Sequence, residues 1–298
     1  MRFITNRLFP RPEHPDQGFR LARGALLRVL VWPVIAAFIA LLGWHNLLQG
    51  LDKDKAAIAA AAQRESASLA RSYADHLQRN FEAIDRTLLH LRHEWILSEG
   101  QLKLEELKES GVLPSSSFFL ASIAGPDGVV RSGTMPPFPS NYVGTMPFFE
   151  SMRQTDSEYL YIGTPVTGPL LGDTVIHFAR RITDANGRFA GVVAAAVRPA
   201  FFTIDYDNTS LGPKGFLGVS GKDGKIWASR IGETVHDPVR PDLAAARKLS
   251  SPAGSTLLPG TWFIDQRARY AAWETLSGYP LVAMAGLDQQ TLLAPYRK

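Results

Sequence analysis

The chain has 298 residues, no cysteine, and 32 Lys and Arg against 28 Asp and Glu, a formal charge of +4. The lack of cysteine excludes disulfides; it fits a bacterial periplasm without identifying any compartment. The whole excess sits in the first 28 residues, where Arg2, Arg7, Arg11, Arg20, Arg23 and Arg28 outnumber Glu13 and Asp16 by 4. The remainder is formally neutral, so the overall basicity is no argument for nucleic-acid binding.

Behind this basic leader (1–28) runs an uncharged apolar stretch, Val29 to Trp44, extended by Leu26 and Leu27 before it and by Leu47 and Leu48 after it. A helix over 29–48 reaches the ~20 residues that span a bilayer core. Trp32 and Trp44 fall towards its ends, where interfacial aromatics are favoured, and Arg28 can snorkel to the headgroups. Beyond it, Asp52, Lys53, Asp54 and Lys55 balance. The arginine asymmetry therefore predicts a transmembrane anchor with its N-terminus in the cytoplasm and the bulk translocated. A cleaved signal peptide would need small residues just after the apolar run, where GWHNLLQG stands instead.

Residues 49–98 read as a long stalk helix, free of proline and rich in Ala, Leu, Arg and Glu. Ala67, Ala70, Ala74, Leu77, Phe81, Ile84, Leu88, Leu91 and Trp95 recur at spacings of three and four, a heptad stripe. Such a stripe packs on its own domain, or pairs two subunits in a weak parallel homodimer through Ala67, Ala70 and Ala74. Both readings stay open here. His90, His93 and Glu94 share this helix, but their order is not that of a zinc site and no third ligand is evident, so a solvated face is expected and no metal.

From Phe118 the texture changes to short β-branched and aromatic runs broken by turns, the pattern of an α+β fold. FLASIAGPDGVVRSG from Phe119 is echoed by FLGVSGKDGKIWASR from Phe216, each reading as strand, Asp-Gly tip, strand, with Asp127-Gly128 and Asp223-Gly224 at the tips. ARRITDANGRFAGVVAAAV from Ala179 is echoed by ARYAAWETLSGYPLVAMAGL from Ala268. The two echoes keep their order at offsets of 97 and 89 residues, which predicts a duplicated unit over 99–212 and 213–298. Each unit opens and closes with a hairpin, so two antiparallel sheets with helices on their faces are expected. The connecting segments, Pro136 to Gly172 and Ile231 to Pro252, are where a pocket would be built.

The helix YADHLQRNFEAIDRTLLHLRHEW, the stretch YIGTPVTG with VIHFARRITDANGRFAGVVAAAV, the helix-like RPAFF, LGPKGFLGVSGKDGKIWASR and the closing SGYPLVAMAGL together resemble the double Cache sensor domains. These are tandem PAS-like periplasmic modules of bacterial diguanylate cyclases, cyclic-di-GMP phosphodiesterases, histidine kinases and chemoreceptors. The resemblance covers about Leu51 to Leu287. It implies a membrane-distal PAS-like unit holding a small-molecule pocket, and a membrane-proximal unit from Gly215. The aspartate of the amino-acid-sensing subgroup falls here at Ala195 and Ala196, and TMPFFESM lacks the arginine expected beside its aromatics. Recognition of an α-amino group is therefore not implied.

By strand alternation His177 and Arg181 share one face of VIHFARRI, while Phe178 and Arg180 share the other. Together with Phe148 and Tyr161 from the connecting segment, His177 and Arg181 are the candidate ligand-binding residues, a donor set for a carboxylate. The alternative is a satisfied core histidine and a surface arginine.

No catalytic constellation is present. GxSxG is absent, Gly215 to Lys222 has the wrong spacing for a phosphate loop, and Asp205 with Asp207 reads as the solvated end of a helix. Neither the diguanylate cyclase signature nor the histidine kinase boxes occur. The expectation is a non-enzymatic, cofactor-free signal-input module in the bacterial inner membrane; the alternative is a tethered periplasmic binding or assembly protein with a vestigial pocket. The polar DQQTLLAPYRK stands where such receptors enter a second membrane helix. That leaves a fragment, a degenerate sensor, or transmission through one anchor to a separate signalling partner.

Overall fold

A computed structural model describes residues 16–111, 113, 119–134, 141–167, 173–204, 206, 209–236 and 251–296, with the backbone alone at 16–31, 51, 52 and 296. The leader's side chains, Asp205, Asp207 and most of the connection from Ile231 to Pro252 lie outside the described residues. Helix α1 spans Asp16–Leu97, with Pro33 inside it. The chain divides into two compact units, Met1–Ala57 and Ile58–Lys298. In the first, α1 is long and apolar enough to cross a membrane by length and composition, and Trp32, Val34, Phe38, Leu41 and Trp44 are exposed.

In the second unit, two antiparallel sheets follow α1. The first contains β1 (Phe119–Ala124), β2 (Val130–Gly133), β3 (Tyr161–Ile162), β4 (Val166–Thr167), β5 (Thr174–Thr183) and β6 (Phe189–Val197), in the order β2-β1-β6-β5-β3 with β4 also on β5. The second contains β7 (Phe216–Gly221), β8 (Ile226–Ile231), β9 (Thr234–His236), β10 (Ala253–Leu258), β11 (Arg269–Thr275) and β12 (Leu281–Asp288), in the order β10-β11-β12-β7-β8-β9. Read from the opening hairpin, β2-β1-β6-β5-β3 and β8-β7-β12-β11-β10 are the same path. The sequence echoes thus correspond to equivalent hairpins.

The two opening hairpins are alike down to their tips. Gly128 N–H donates to the Gly125 carbonyl and Gly224 N–H to that of Gly221, while Asp127 and Asp223 accept from the backbone two residues on. Gly128 and Gly224 take φ of 79° and 78°, the left-handed conformation such a three-residue turn requires. Both strands shift register just before the tip, at Ile123/Ala124 and Val219/Ser220.

The heptad stripe of α1 is the shared floor of both sheets. Ala70, Ala74, Leu77, Phe81, Ile84, Leu88 and Leu91 are buried in one cluster with Ile123, Phe178, Val193 and Ala195 of the first sheet and Leu217, Val219, Ala272, Leu281 and Ala285 of the second. The seam expected to pair two copies is therefore occupied by the chain itself at Ala70 and Ala74, with Ala67 half-buried. His90 and His93 are exposed. Sequence reading missed Tyr73, which is fully buried and donates its hydroxyl to the Phe202 carbonyl at 3.0 Å.

Phe81 is the hub of this core. Its ring stacks on Phe202 at 4.9 Å and meets Phe178 of β5 at 5.5 Å and Tyr279 of the β11–β12 turn at 5.3 Å. Helix α4 (Phe201–Ile204), which supplies Phe202, connects the sheets. The short α2 (Leu104–Glu109) places Leu104 in the same core.

Two predictions follow from the core and from the end of β12. Phe81→Ala should cost about 3–5 kcal/mol in urea unfolding, the range for deleting a large buried ring. At the exit of β12, Asp288 pairs with Arg267 through bonds of 2.8 and 2.7 Å and accepts from Thr291 of α5 (Gln289–Leu293). Burial alone would raise its pKa, but the bonds from Arg267 and Thr291 outweigh it and bring it down to about 2. A carboxyl below its unfolded value stabilises the fold above about pH 4 and loses that contribution as pH falls towards 2. Asp288→Asn should thus lower stability by about 1–2 kcal/mol at pH 7 and flatten the acid limb of the unfolding curve, measured by circular dichroism.

Candidate ligand-binding site

Strand β5 is covered on both faces, and its alternation decides what each residue meets. Ile176, Phe178 and Ile182 enter the core shared with α1, whereas Ala179 joins a smaller cluster with Ala124, Phe148, Phe149, Met152, Val192 and Ala194. This second cluster lies under helix α3 (Pro147–Gln154). Pro147 starts that helix without needing an N–H partner, and Phe148, Phe149 and Met152 form its buried face.

All four sequence-predicted residues fall on the α3 side of the sheet. Phe148 stacks on the His177 ring at 4.9 Å with 26° between planes. Tyr161 of β3 is the register partner of Ala179, hence on the His177 and Arg181 face, and packs against the same cluster. Burial lowers the pKa of His177, so the imidazole is neutral at pH 7. Burial also raises that of the Tyr161 phenol, which stays protonated.

Arg181 is buried, 5% exposed, rather than a surface charge. Its Nη1 donates to the carbonyls of Met152 at 2.8 Å and Arg153 at 3.2 Å, in the last turn of α3, and Nη2 lies 3.4 Å from Asp156. Its guanidinium sits 5.0 Å from the Phe189 ring centre. A cation at the carbonyl end of a helix satisfies orphan acceptors and opposes the macrodipole. Arg181 Nε is buried without a hydrogen-bond partner among the described residues. The sheet face thus carries an arginine that fastens α3 and keeps one donor in reserve.

Where the resemblance places an aspartate, Ala195 points into the α1 core and Ala196 pairs with His177. The face beside His177 is therefore small and free of a carboxylate at that position. On the opposite face Arg180 holds Asp85 of α1 through Nε and Nη2, both at 2.7 Å, and also donates to the Glu158 carbonyl. Sequence reading missed this pair; the signal was an aspartate one residue after Ile84 of the stripe and an arginine on the core face of β5.

A cavity of about 560 Å³ lies on this side, lined by Gln78, Asp85, Tyr159 to Ile162, Arg180 and Ser277 to Pro280. Of the four predicted residues it reaches only Tyr161. The remaining three are close-packed beneath α3.

Solved structures share this fold. The extracellular domain of rpHK1S-Z16, described as a histidine kinase, superposes with a TM-score of 0.66 at 23% identity, over 79% of this chain and 98% of that one. The periplasmic sensory domain of the Campylobacter jejuni chemoreceptor Tlp1 gives 0.58 at 13% identity, over 81% and 100%. The ligand-binding domain of the Pseudomonas fluorescens chemoreceptor CtaA, solved with L-isoleucine, gives 0.57 at 16%, over 81% and 98%. No family model matches the sequence, and no curated protein is similar enough to count as a relative. The fold is that of the extracytoplasmic ligand-binding sensor domains of histidine kinases and chemoreceptors.

Proposed function

We propose that the chain is the extracytoplasmic signal-input module of a bacterial inner-membrane receptor and binds a small carboxylate-bearing molecule beneath α3. The observation that carries this reading is Arg181, a buried guanidinium with an unpartnered Nε beside a neutral histidine on the sheet face covered by α3. Phe148, Tyr161, His177 and Arg181 line the site. A ligand carboxylate takes the free Nε donor, and Phe148 slides off His177 to admit the ligand's body. The replacement of the aligned aspartate by alanine at Ala195 and Ala196 favours an anion over an ammonium group.

In this reading residues 1–28 are a cytoplasmic leader, 29–48 the anchor, 49–98 the stalk, 99–212 the membrane-distal unit and 213–298 the membrane-proximal unit. Binding is the function and no turnover is involved. Ligand-driven repacking around Phe81 and Ile84 shifts α1 towards a partner that carries the output. Pairing of two copies through α1 is left to its exposed face, since Ala70 and Ala74 are committed to the core.

A second reading, a tethered assembly protein with a vestigial pocket, draws on one observation: Phe148 is 4% exposed and already stacked on His177. A thermal-shift series on the full chain in detergent separates the two, because a ligand that binds only the folded state raises its melting temperature. Small carboxylates are expected to raise it, amines of equal size are not, and Arg181→Gln should abolish the response while a separate melt confirms that the variant folds. No response to any carboxylate would leave the assembly reading. Topology is checked independently: reporter fusions at Ser98 and Lys298 should both report a periplasmic position.

A further inference from the structure

The 560 Å³ cavity lies on the Arg180 side of the first sheet and shares only Tyr161 with the site beneath α3. Its walls come from three parts of the fold: Gln78 and Asp85 on α1, Tyr159 to Ile162 with Arg180 from the first sheet, and the β11–β12 turn, Ser277 to Pro280, from the second. None of Phe148, His177 or Arg181 reaches it.

From this geometry we infer a second ligand site between the two sheets, selective for a small primary amine with an aromatic or apolar body. The size suits such a molecule, since small-ligand pockets begin at roughly 300 Å³. Tyr159, Tyr161 and Tyr279 supply aromatic wall, and Leu160, Ile162 and Pro280 supply apolar wall.

The polar groups set the sign of the charge. Arg180 is locked by Asp85 and the Glu158 carbonyl, so its donors are largely spent within the protein. A carboxylate offers about four lone-pair sites, and Arg180 takes one on each oxygen of Asp85, which leaves acceptor capacity on the groove wall. The Gln78 amide donates to Glu82 at 3.0 Å, while its oxygen has no hydrogen-bond partner among the described residues. That oxygen is covered from solvent, so the groove's own acceptor is Asp85. An ammonium group takes the spare Asp85 lone pairs and lies among Tyr159, Tyr161 and Tyr279, rings near which a cation is favoured. The Tyr279 hydroxyl senses the same field: after burial, Asp85 and Glu82 raise its pKa against the opposition of Arg180 and Arg86.

Occupancy of this groove also touches the core, because Tyr279 rests on Phe81. The site is thus placed to bias the same helix from a different side.

The test is isothermal titration of the full-length Arg181→Gln protein in detergent, in which the carboxylate site beneath α3 is silenced, with 2-phenylethylamine, 2-phenylethanol and phenylacetate, each against a detergent blank. The amine should bind once per chain, about tenfold or more tighter than the alcohol, with the acid weakest. Ser277→Trp, a change in an exposed turn residue, should fill the mouth and abolish amine binding. Melting curves establish that the variants fold. Equal binding of amine and alcohol, tighter binding of the acid, no amine binding, or unchanged binding in a folded Ser277→Trp protein would each overturn the proposal.

Discussion

The main core of the second unit is built on one buried stripe of α1. Both sheets bury residues against that single seam, so one row of side chains closes the core of each. Phe81 marks the point where these cores are continuous, touching a strand of the first sheet, the connecting helix and a turn of the second. Interiors packed at crystal-like density do not absorb displacement gradually. A shift of β5 or of the β11–β12 turn must therefore be felt at this ring, and so along α1.

The polar contacts repeat that logic with charge. Arg180 and Arg181 are neighbours in sequence, yet strand alternation sends one to α1 and the other to α3. Each is held through more than one nitrogen, and each is mostly buried, at 11% and 5% side-chain exposure. Removing Asp85 would strand the Arg180 charge in low dielectric, a larger penalty than the pair's own net contribution, whereas Arg181 is held by backbone carbonyls. Two adjacent residues on one strand thus fix the seats of the long helix and of the helix that covers the candidate site.

Much of this was legible in the sequence because periodicity reports burial. The heptad stripe and the division of β5 into two faces follow from helical and strand periods, while the tips and the paired hairpins follow from the Asp-Gly dipeptides and the two echoes. Tyr73 escaped because a hydroxyl breaks the apolar pattern, although the buried ring finds its acceptor at Phe202, 129 positions away in sequence. Asp85 and Gln78 escaped for the same reason: a polar residue beside a stripe looks solvated until a second sheet covers it. Whether the alanine seam paired two copies or packed internally was open from spacing alone, since small residues serve either purpose. The destination of Arg181 was equally hidden. An arginine on a strand gives no sign that a helix several turns upstream will end against it.

The Arg180–Asp85 pair has a mechanical consequence. A guanidinium and a carboxylate joined by two parallel bonds fix direction as well as distance. Advancing α1 by one residue rotates it by about 100° and would carry Asp85 out of reach. At this point the helix is thus pinned in one rotational setting, by charge as well as by its stripe.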